Sequence, residues 1–205
     1  MNRHDFLKGI DLAETRDEQL SFLQKTILHG TPSVFKDREG DYFDFRNRIA
    51  HFFQWKLGVN LGYHEVFIVG SAKLGFSPHK GSVFNFDSDV DVAIVNEQLF
   101  DKYHEAISLY QYDIEAAKVT ISRRENEMYR EFLMYFAKGW MRPDKLPLAF
   151  QMKIGKDDWF EFFRSISYDH SEVGNYKVNA GLYKSFKYLE TYLAQMANGI
   201  RVNRS

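Results

Sequence analysis

Three aspartates, Asp87, Asp89 and Asp91, stand at alternate positions and lead directly into an apolar run at 92–95. Alternate residues of a β-strand share one face, so an extended backbone brings the three carboxylates together. Two such charges about 4 Å apart repel by about 4 kcal/mol at an effective dielectric near 20. A divalent cation removes this repulsion, and Mg²⁺ is usually held by carboxylates together with substrate phosphates. The alternative is a set of solvated residues at the frayed start of a strand.

Two further features favour a metal and phosphate site. Asp91 lies between Val90 and Val92, where a purely structural residue is more often Thr or Val. Gly70 and Ser71 follow the apolar stretch 66–69, and a glycine at such a turn lets backbone N–H groups and a hydroxyl approach an anion closely. The sequence therefore predicts a site for Mg²⁺ and a phosphorylated ligand.

The surrounding elements predict an α+β fold. Helices are expected at 15–29 and 41–57, strands at 66–69 and 89–95, and a loop at 72–86. Further helices are expected at 97–112, 122–141, 157–167 and 181–197, with a third strand at 148–154. The expected organisation is an N-terminal helical segment (1–60), a core with a mixed sheet (61–154) and a helical C-terminal part (155–205).

Composition narrows the class of protein. The chain has 205 residues and 44% hydrophobic residues, enough for a substantial core. Its net charge of −1 gives no global field for nucleic acid, so any such contact must be local. It has no cysteine and no apolar run of membrane-spanning length, which favours a cytoplasmic protein without a membrane partner.

The strand, the Gly70-Ser71 turn, the loop and Asp89-Val90-Asp91-Val92 together resemble the signature of the DNA polymerase beta-type nucleotidyltransferase superfamily. More narrowly, they resemble bacterial stand-alone nucleotidyltransferase-domain proteins, some of which act in anti-phage defence. The match covers about 30 of the 205 residues. It implies a palm-like mixed sheet and the transfer of a nucleoside monophosphate from an NTP or dNTP to an acceptor hydroxyl.

The resemblance also implies roles for individual residues. Asp89 and Asp91 would be catalytic and hold two Mg²⁺ ions, one activating the acceptor hydroxyl and one binding the triphosphate, with Asp87 as a further ligand. Gly70 and Ser71 would bind the β- and γ-phosphates of the donor. The sequence does not identify the acceptor, because another nucleotide, an oligonucleotide end, a tRNA or a protein hydroxyl would all use the same donor site.

Three lysines are candidate ligands of the triphosphate, each with a plainer alternative. Lys73 follows the Gly70-Ser71 turn and would add positive charge, or is a solvated loop residue. Lys184 and Lys187 would share a helix face with Tyr183 and bind a triphosphate or base, or form a solvated face. Basic residues at 123, 124, 130, 138, 142 and 145 would form a groove for the acceptor, or belong to a solvated helix face.

One expected ligand has no clear candidate. The superfamily normally supplies a third carboxylate from a later strand, and the predicted strand 148–154 offers Gln151 and Lys153 instead. Asp87 is one candidate for this role. The other interpretation is a catalytically degenerate nucleotidyltransferase fold that binds nucleotide or docks on a partner.

Overall fold

The computed structural model describes residues 1–147, 150 and 156–202. The α+β class predicted from the sequence is confirmed, because eight α-helices surround one four-stranded sheet in this part of the chain. The helices are α1 (Arg3–Leu12), α2 (Arg16–Leu23), α3 (Glu39–Leu57), α4 (Gly70–Leu74), α5 (Glu97–Glu115), α6 (Arg123–Phe136), α7 (Lys156–Ser165) and α8 (Phe186–Val202). The strands are β1 (Val66–Val69), β2 (Val90–Val95), β3 (Trp140–Met141) and β4 (Val178–Tyr183).

The sheet is mixed and has the strand order β1-β2-β4-β3. β1 and β2 are antiparallel, β2 and β4 are parallel, and β3 and β4 are antiparallel. The sheet thus takes β4 from the C-terminal part of the chain and places it between β2 and β3. The described residues of the C-terminal part, 156–202, which were expected to be helical, supply a strand as well as helices.

Both faces of the sheet are covered by helices, which is why β2 reads as an almost continuous apolar run. Val90, Val92 and Ile94 point into a core shared with α3, α5, α6 and α7. Ala93 and Val95 point into a second core shared with α1, α2 and α8. By alternation, Asp91 lies on the same face of the sheet as Ala93 and Val95. It lies near the start of β2, beyond the edge of this second core.

Local signals set several element boundaries. The Thr15 hydroxyl accepts a hydrogen bond from the Glu18 N–H while the Glu18 carboxylate accepts one from the Thr15 N–H, a reciprocal cap that begins α2. A π-helical turn, Gln24–Leu28, continues α2, in agreement with the expected end near residue 29. Gly58, at φ 61°, ends α3 in the left-handed conformation that glycine adopts without strain.

Some of the expected boundaries were wrong. Residues 181–197 were expected to be one helix, but the chain is strand to Tyr183 and helix only from Phe186. Residues 140–141, expected to end a helix, form β3. The expected strand 148–154 lies outside the described residues, apart from residue 150. None of the described helices is long and apolar enough to cross a membrane.

Candidate functional site

The Gly70 turn lies directly against the Asp91 carboxylate. Val69, the last residue of β1, pairs with Asp91 of β2, and Gly70 then turns the chain into α4 with φ 65°. A Cβ at Gly70 would lie 3.2 Å from Asp91 Oδ2. Both the backbone conformation and the close approach therefore require glycine at this position. The structure brings the expected turn and the expected carboxylate together.

Asp91 has a raised pKa. Its carboxylate reaches solvent, but protein atoms surround it on most sides, and this burial is the main cause of the raised pKa. The neighbouring negative charge of Asp89 raises the pKa further, while the positive charges of Arg142 and Lys177 act in the opposite direction. The site thus holds two carboxylates and two cations within electrostatic range of one another.

Asp89 is held by residues of the adjoining strand. Asn179 of β4 donates a hydrogen bond of 2.8 Å from Nδ2 to Asp89 Oδ2. The same oxygen lies 3.8 Å from the ammonium of Lys177, in a largely exposed ion pair. Asn179 is also the residue of β4 that pairs in register with Asp91. An amide therefore occupies the position on the next strand nearest to both carboxylates.

Asp87 does not join Asp89 and Asp91 on a strand face, so the expectation of three carboxylates on one strand was wrong. It lies in an exposed turn before β2 begins at Val90. The Asn85 side chain forms this turn by accepting hydrogen bonds from the Asp87 N–H at 3.1 Å and the Ser88 hydroxyl at 3.2 Å. Within the described part of the chain, no group of three acidic, histidine or cysteine side chains is arranged to hold a metal ion.

Lys73 is a buried structural residue, which neither sequence interpretation anticipated. Only 7% of its surface is exposed, and its ammonium donates hydrogen bonds to the backbone carbonyls of His29 and Gly30. Burial lowers its pKa to about 8, and the positive charge of Arg46 contributes. Because these carbonyls already bind its ammonium, Lys73 is not part of the candidate phosphate site.

Lys184 and Lys187 lie at the other end of the sheet from the two aspartates. Lys184 follows the end of β4, five residues beyond Asn179, or about 16 Å along a strand. Its ammonium pairs with Asp101 at 2.8 Å and Glu97 at 3.8 Å on α5. Lys187 lies exposed in the first turn of α8. The structure does not bring these lysines to the Asp89–Asp91 pair.

Two tyrosines, Tyr183 and Tyr192, lie near Asp91. Tyr183 was expected on a helix face with Lys184 and Lys187, but it belongs to β4. Tyr183 reaches back along β4 over Gly181, where its ring lies 3.8 Å from the position of a glycine Cβ. Burial raises the pKa of both Tyr183 and Tyr192, and the negative charge of Asp91 adds to the effect. Together with Trp140 they form an aromatic wall on the Asp91 face, with ring centroids 5.2 to 6.0 Å apart.

A period-two pattern was present in the sequence of β4 and could have found Lys177 and Asn179. Val178, Ala180 and Leu182 alternate with polar or small residues, as Val90 and Val92 do around Asp91. The expected third-ligand positions, Gln151 and Lys153, lie outside the described residues. Of the described strands, β4 is the one that places a polar side chain beside the two aspartates.

Comparison with protein-family models, curated proteins and solved structures found no match. The functional argument therefore depends on the site residues and their geometry. Asp89 and Asp91 fit a single Mg²⁺ bound with substrate phosphates, because one or two carboxylates are the usual protein contribution to such a site. Because Gly70 has no Cβ, the Asp91 carboxylate can lie directly against the turn.

Proposed function

We propose that this protein is a magnesium-dependent nucleotidyltransferase that uses an NTP or dNTP as donor. The observation that carries the proposal is the contact between the Gly70 turn and Asp91 of β2, with Asp89 directly before the start of that strand. A crowded pair of carboxylates beside a glycine turn is unfavourable without a ligand, since burial and mutual repulsion both oppose the charge on Asp91. A metal-bound triphosphate neutralises this arrangement.

In the proposed reaction, an acceptor hydroxyl oxygen forms a bond to the α-phosphorus of the donor. The bond between that phosphorus and the bridging oxygen breaks, and pyrophosphate leaves. Asp89 and Asp91 would hold Mg²⁺, which supplies charge neutralisation at the phosphates and lowers the pKa of the acceptor hydroxyl. The hydroxyl proton passes to a carboxylate oxygen of this pair, and the backbone at Gly70 and Ser71 orients the leaving pyrophosphate.

The first test is donor binding. Isothermal titration with a nonhydrolysable nucleoside triphosphate should show binding that requires Mg²⁺ and is lost in the double variant Asp89→Asn, Asp91→Asn. Asp87→Asn is the matched control, because Asp87 lies in the exposed turn before β2. Unchanged affinity in the double variant would contradict the proposed site.

A second candidate function is nucleotide binding without efficient transfer. Asn179 favours it, because an amide occupies the place on β4 where an acidic side chain would complete a three-carboxylate site. Incubation with each NTP and dNTP in turn, followed by measurement of pyrophosphate, separates the two functions. Magnesium-dependent binding without pyrophosphate release would support the second.

A further inference from the structure

A cleft of about 430 Å³ lies between α7 and the N-terminal half of β4. It exists because β3 is short and pairs only with Leu182 and Tyr183, which leaves the edge of β4 at 178–180 unpaired with β3. The described residues that give this cleft its chemical character are Arg142, Phe160, Arg164, Tyr168, Lys177 and Asn179. Its volume falls within the usual range for sites that bind small molecules or single monomer units.

Three cationic side chains line the cleft, although the whole chain has a net charge of −1. Arg142, Arg164 and Lys177 line it, and none of its described lining residues is an Asp or Glu. Arg164 is exposed and forms no ion pair with any other described residue. Lys177 and Arg142 also face the carboxylates of Asp89 and Asp91, so Arg164 is the lining cation that these carboxylates do not balance. An exposed arginine in a cleft whose described lining has no acidic residue favours an anionic ligand.

Two further aromatic residues are connected to the residues that line the cleft, since Tyr176 directly precedes Lys177 and Phe86 contacts Tyr176. Tyr168 lines the cleft, and its N–H donates to the Tyr176 carbonyl at 2.9 Å. The Tyr176 ring stacks on Phe86 with a centroid distance of 6.0 Å and an interplanar angle of 10°. Phe86 is 80% exposed. Cations interleaved with accessible aromatic rings are typical of surfaces that bind single-stranded nucleic acid, since every base has a face that can stack.

The cleft adjoins the two aspartates on the side away from the Gly70 turn. Lys177 and Asn179 line the cleft and also contact Asp89. β2 lies between β1, which leads into the Gly70 turn, and β4, which borders the cleft. Phosphoryl transfer places the attacking and leaving oxygens roughly in line. A pyrophosphate leaving at the Gly70 turn therefore requires an attacking hydroxyl from the β4 side.

The geometry points to single-stranded nucleic acid as the acceptor, with its terminal nucleotide in this cleft and the preceding bases along Tyr176 and Phe86. The role of this strand as acceptor rests on the proposed nucleotidyl transfer. Its binding to the cleft does not, because binding can be measured without the donor. The terminal hydroxyl oxygen of the strand would form the new bond to the α-phosphorus, and pyrophosphate would leave. The product is the same strand extended by one nucleotide.

The test is fluorescence anisotropy with labelled single-stranded DNA and RNA of about 10 nucleotides, a length within the known range of single-strand sites. The full chain is used in EDTA, so that binding is measured without the donor reaction. We expect Arg164→Gln to weaken binding about threefold and the pair Arg142→Gln, Arg164→Gln about tenfold. Arg16→Gln is the matched control, because Arg16 is exposed at the start of α2, a helix of the second core, whereas α7 belongs to the first core.

The salt dependence adds a readout that a purely structural effect would not change. Each phosphate contact contributes about 0.7 to the slope of log affinity against log salt concentration for a single strand. Arg164→Gln should therefore reduce the slope by about 0.7, whereas Arg16→Gln should leave it unchanged. Phe86→Ala should weaken binding severalfold without changing the slope.

Three results would overturn the inference: no binding by the wild-type chain, equal affinity in Arg164→Gln and wild type, or equally tight binding of a duplex of the same sequence. Binding that follows the expected pattern, combined with no pyrophosphate release from any donor, would support the surface and count against the proposed transfer. Pyrophosphate release to another acceptor without oligonucleotide binding would do the reverse.

Discussion

Asn179 lies directly opposite Asp91 on the neighbouring parallel strand, and its side-chain amide donates a hydrogen bond to Asp89. This one residue therefore binds Asp89 and pairs in register with Asp91, from the side of the cleft that it lines. The amide satisfies an oxygen of Asp89 without adding a third negative charge. In the absence of a ligand, this arrangement is more favourable than three carboxylates at the same place.

Asn179→Asp should lower the stability of the metal-free protein and raise its affinity for Mg²⁺. In EDTA the third carboxylate repels the other two and the hydrogen bond to Asp89 is lost, so we expect a loss of about 1 kcal/mol, or about 2–4 °C in melting temperature for a chain of this size. With Mg²⁺, the melting temperature of Asn179→Asp should rise by more than that of the wild type. Thermal unfolding with and without Mg²⁺ measures both effects.

Asn179→Ala is the control for this substitution, because it removes the hydrogen bond without adding charge. Its melting temperature should fall in EDTA and should gain nothing extra from Mg²⁺. An equal response of the Ala and Asp variants to Mg²⁺ would show that this position of β4 takes no part in metal binding.

Asp91→Asn should stabilise the protein at neutral pH and abolish donor binding. The pKa of Asp91 is raised above its ordinary 3.8, so the folded state binds more protons than the unfolded state in the window above that value. Stability from this group is therefore highest at low pH and falls as the pH rises through the folded pKa. Because the carboxylate is partly exposed, we expect a gain at pH 7 of about 2 °C in melting temperature.

The pH dependence distinguishes this effect from a general improvement in packing. The difference in melting temperature between Asp91→Asn and the wild type should vanish toward pH 4 and grow toward pH 7. Asp87→Asn, in the exposed turn, should follow the wild type across the same range. A less stable Asp91→Asn at pH 7 would contradict the view that the unliganded carboxylate is unfavourable.

Local patterns in the sequence were sufficient to predict half of the site. β1 was predicted at 66–69 as observed, and β2 at 89–95 begins one residue later, at Val90. Gly70, Asp89 and Asp91 lie on or directly beside these two strands, so their proximity follows from one antiparallel pairing. The alternation of acidic and apolar residues in β2 and the glycine after β1 were enough to predict these positions.

The rest of the site depends on pairing across long sequence separations. Asn179 and Asp89 are 90 residues apart, and nothing local to either residue specifies their hydrogen bond. β4 was missed because Leu182, Phe186, Leu189 and Leu193 keep helical spacing across the boundary between strand and helix, although Leu182 belongs to the sheet. Lys73 was misjudged for a similar reason, since the carbonyls that bind it belong to residues more than 40 positions earlier.

Gly70→Ala should damage donor binding more than it damages stability. A left-handed conformation at φ 65° costs about 1–2 kcal/mol for a residue with a Cβ. Gly58→Ala is the matched control, because Gly58 has φ 61° and nothing within 4 Å of an added Cβ. Both variants should lose similar stability, but only Gly70→Ala places a methyl group against Asp91, and it should lower nucleotide affinity at least tenfold. Equal nucleotide affinity in the two variants, measured by titration, would show that the Gly70 turn takes no part in nucleotide binding.

Lys73→Met should destabilise the fold and leave donor affinity unchanged within about twofold. The substitution removes the donor for the carbonyls of His29 and Gly30, and the loss of such buried hydrogen bonds costs about 1–3 kcal/mol. The lowered pKa means that the folded state binds fewer protons than the unfolded state between about pH 8 and 10.5, so the wild type should gain stability relative to Lys73→Met as the pH rises through this window. Lys80→Met, at an exposed loop position, is the control and should change neither property.

Chemical denaturation measures the stability of each variant, and titration with a nonhydrolysable triphosphate measures its affinity. A tenfold loss of affinity in Lys73→Met alone would return this lysine to the phosphate site, because it would mean that the ammonium leaves its two carbonyls when the donor binds.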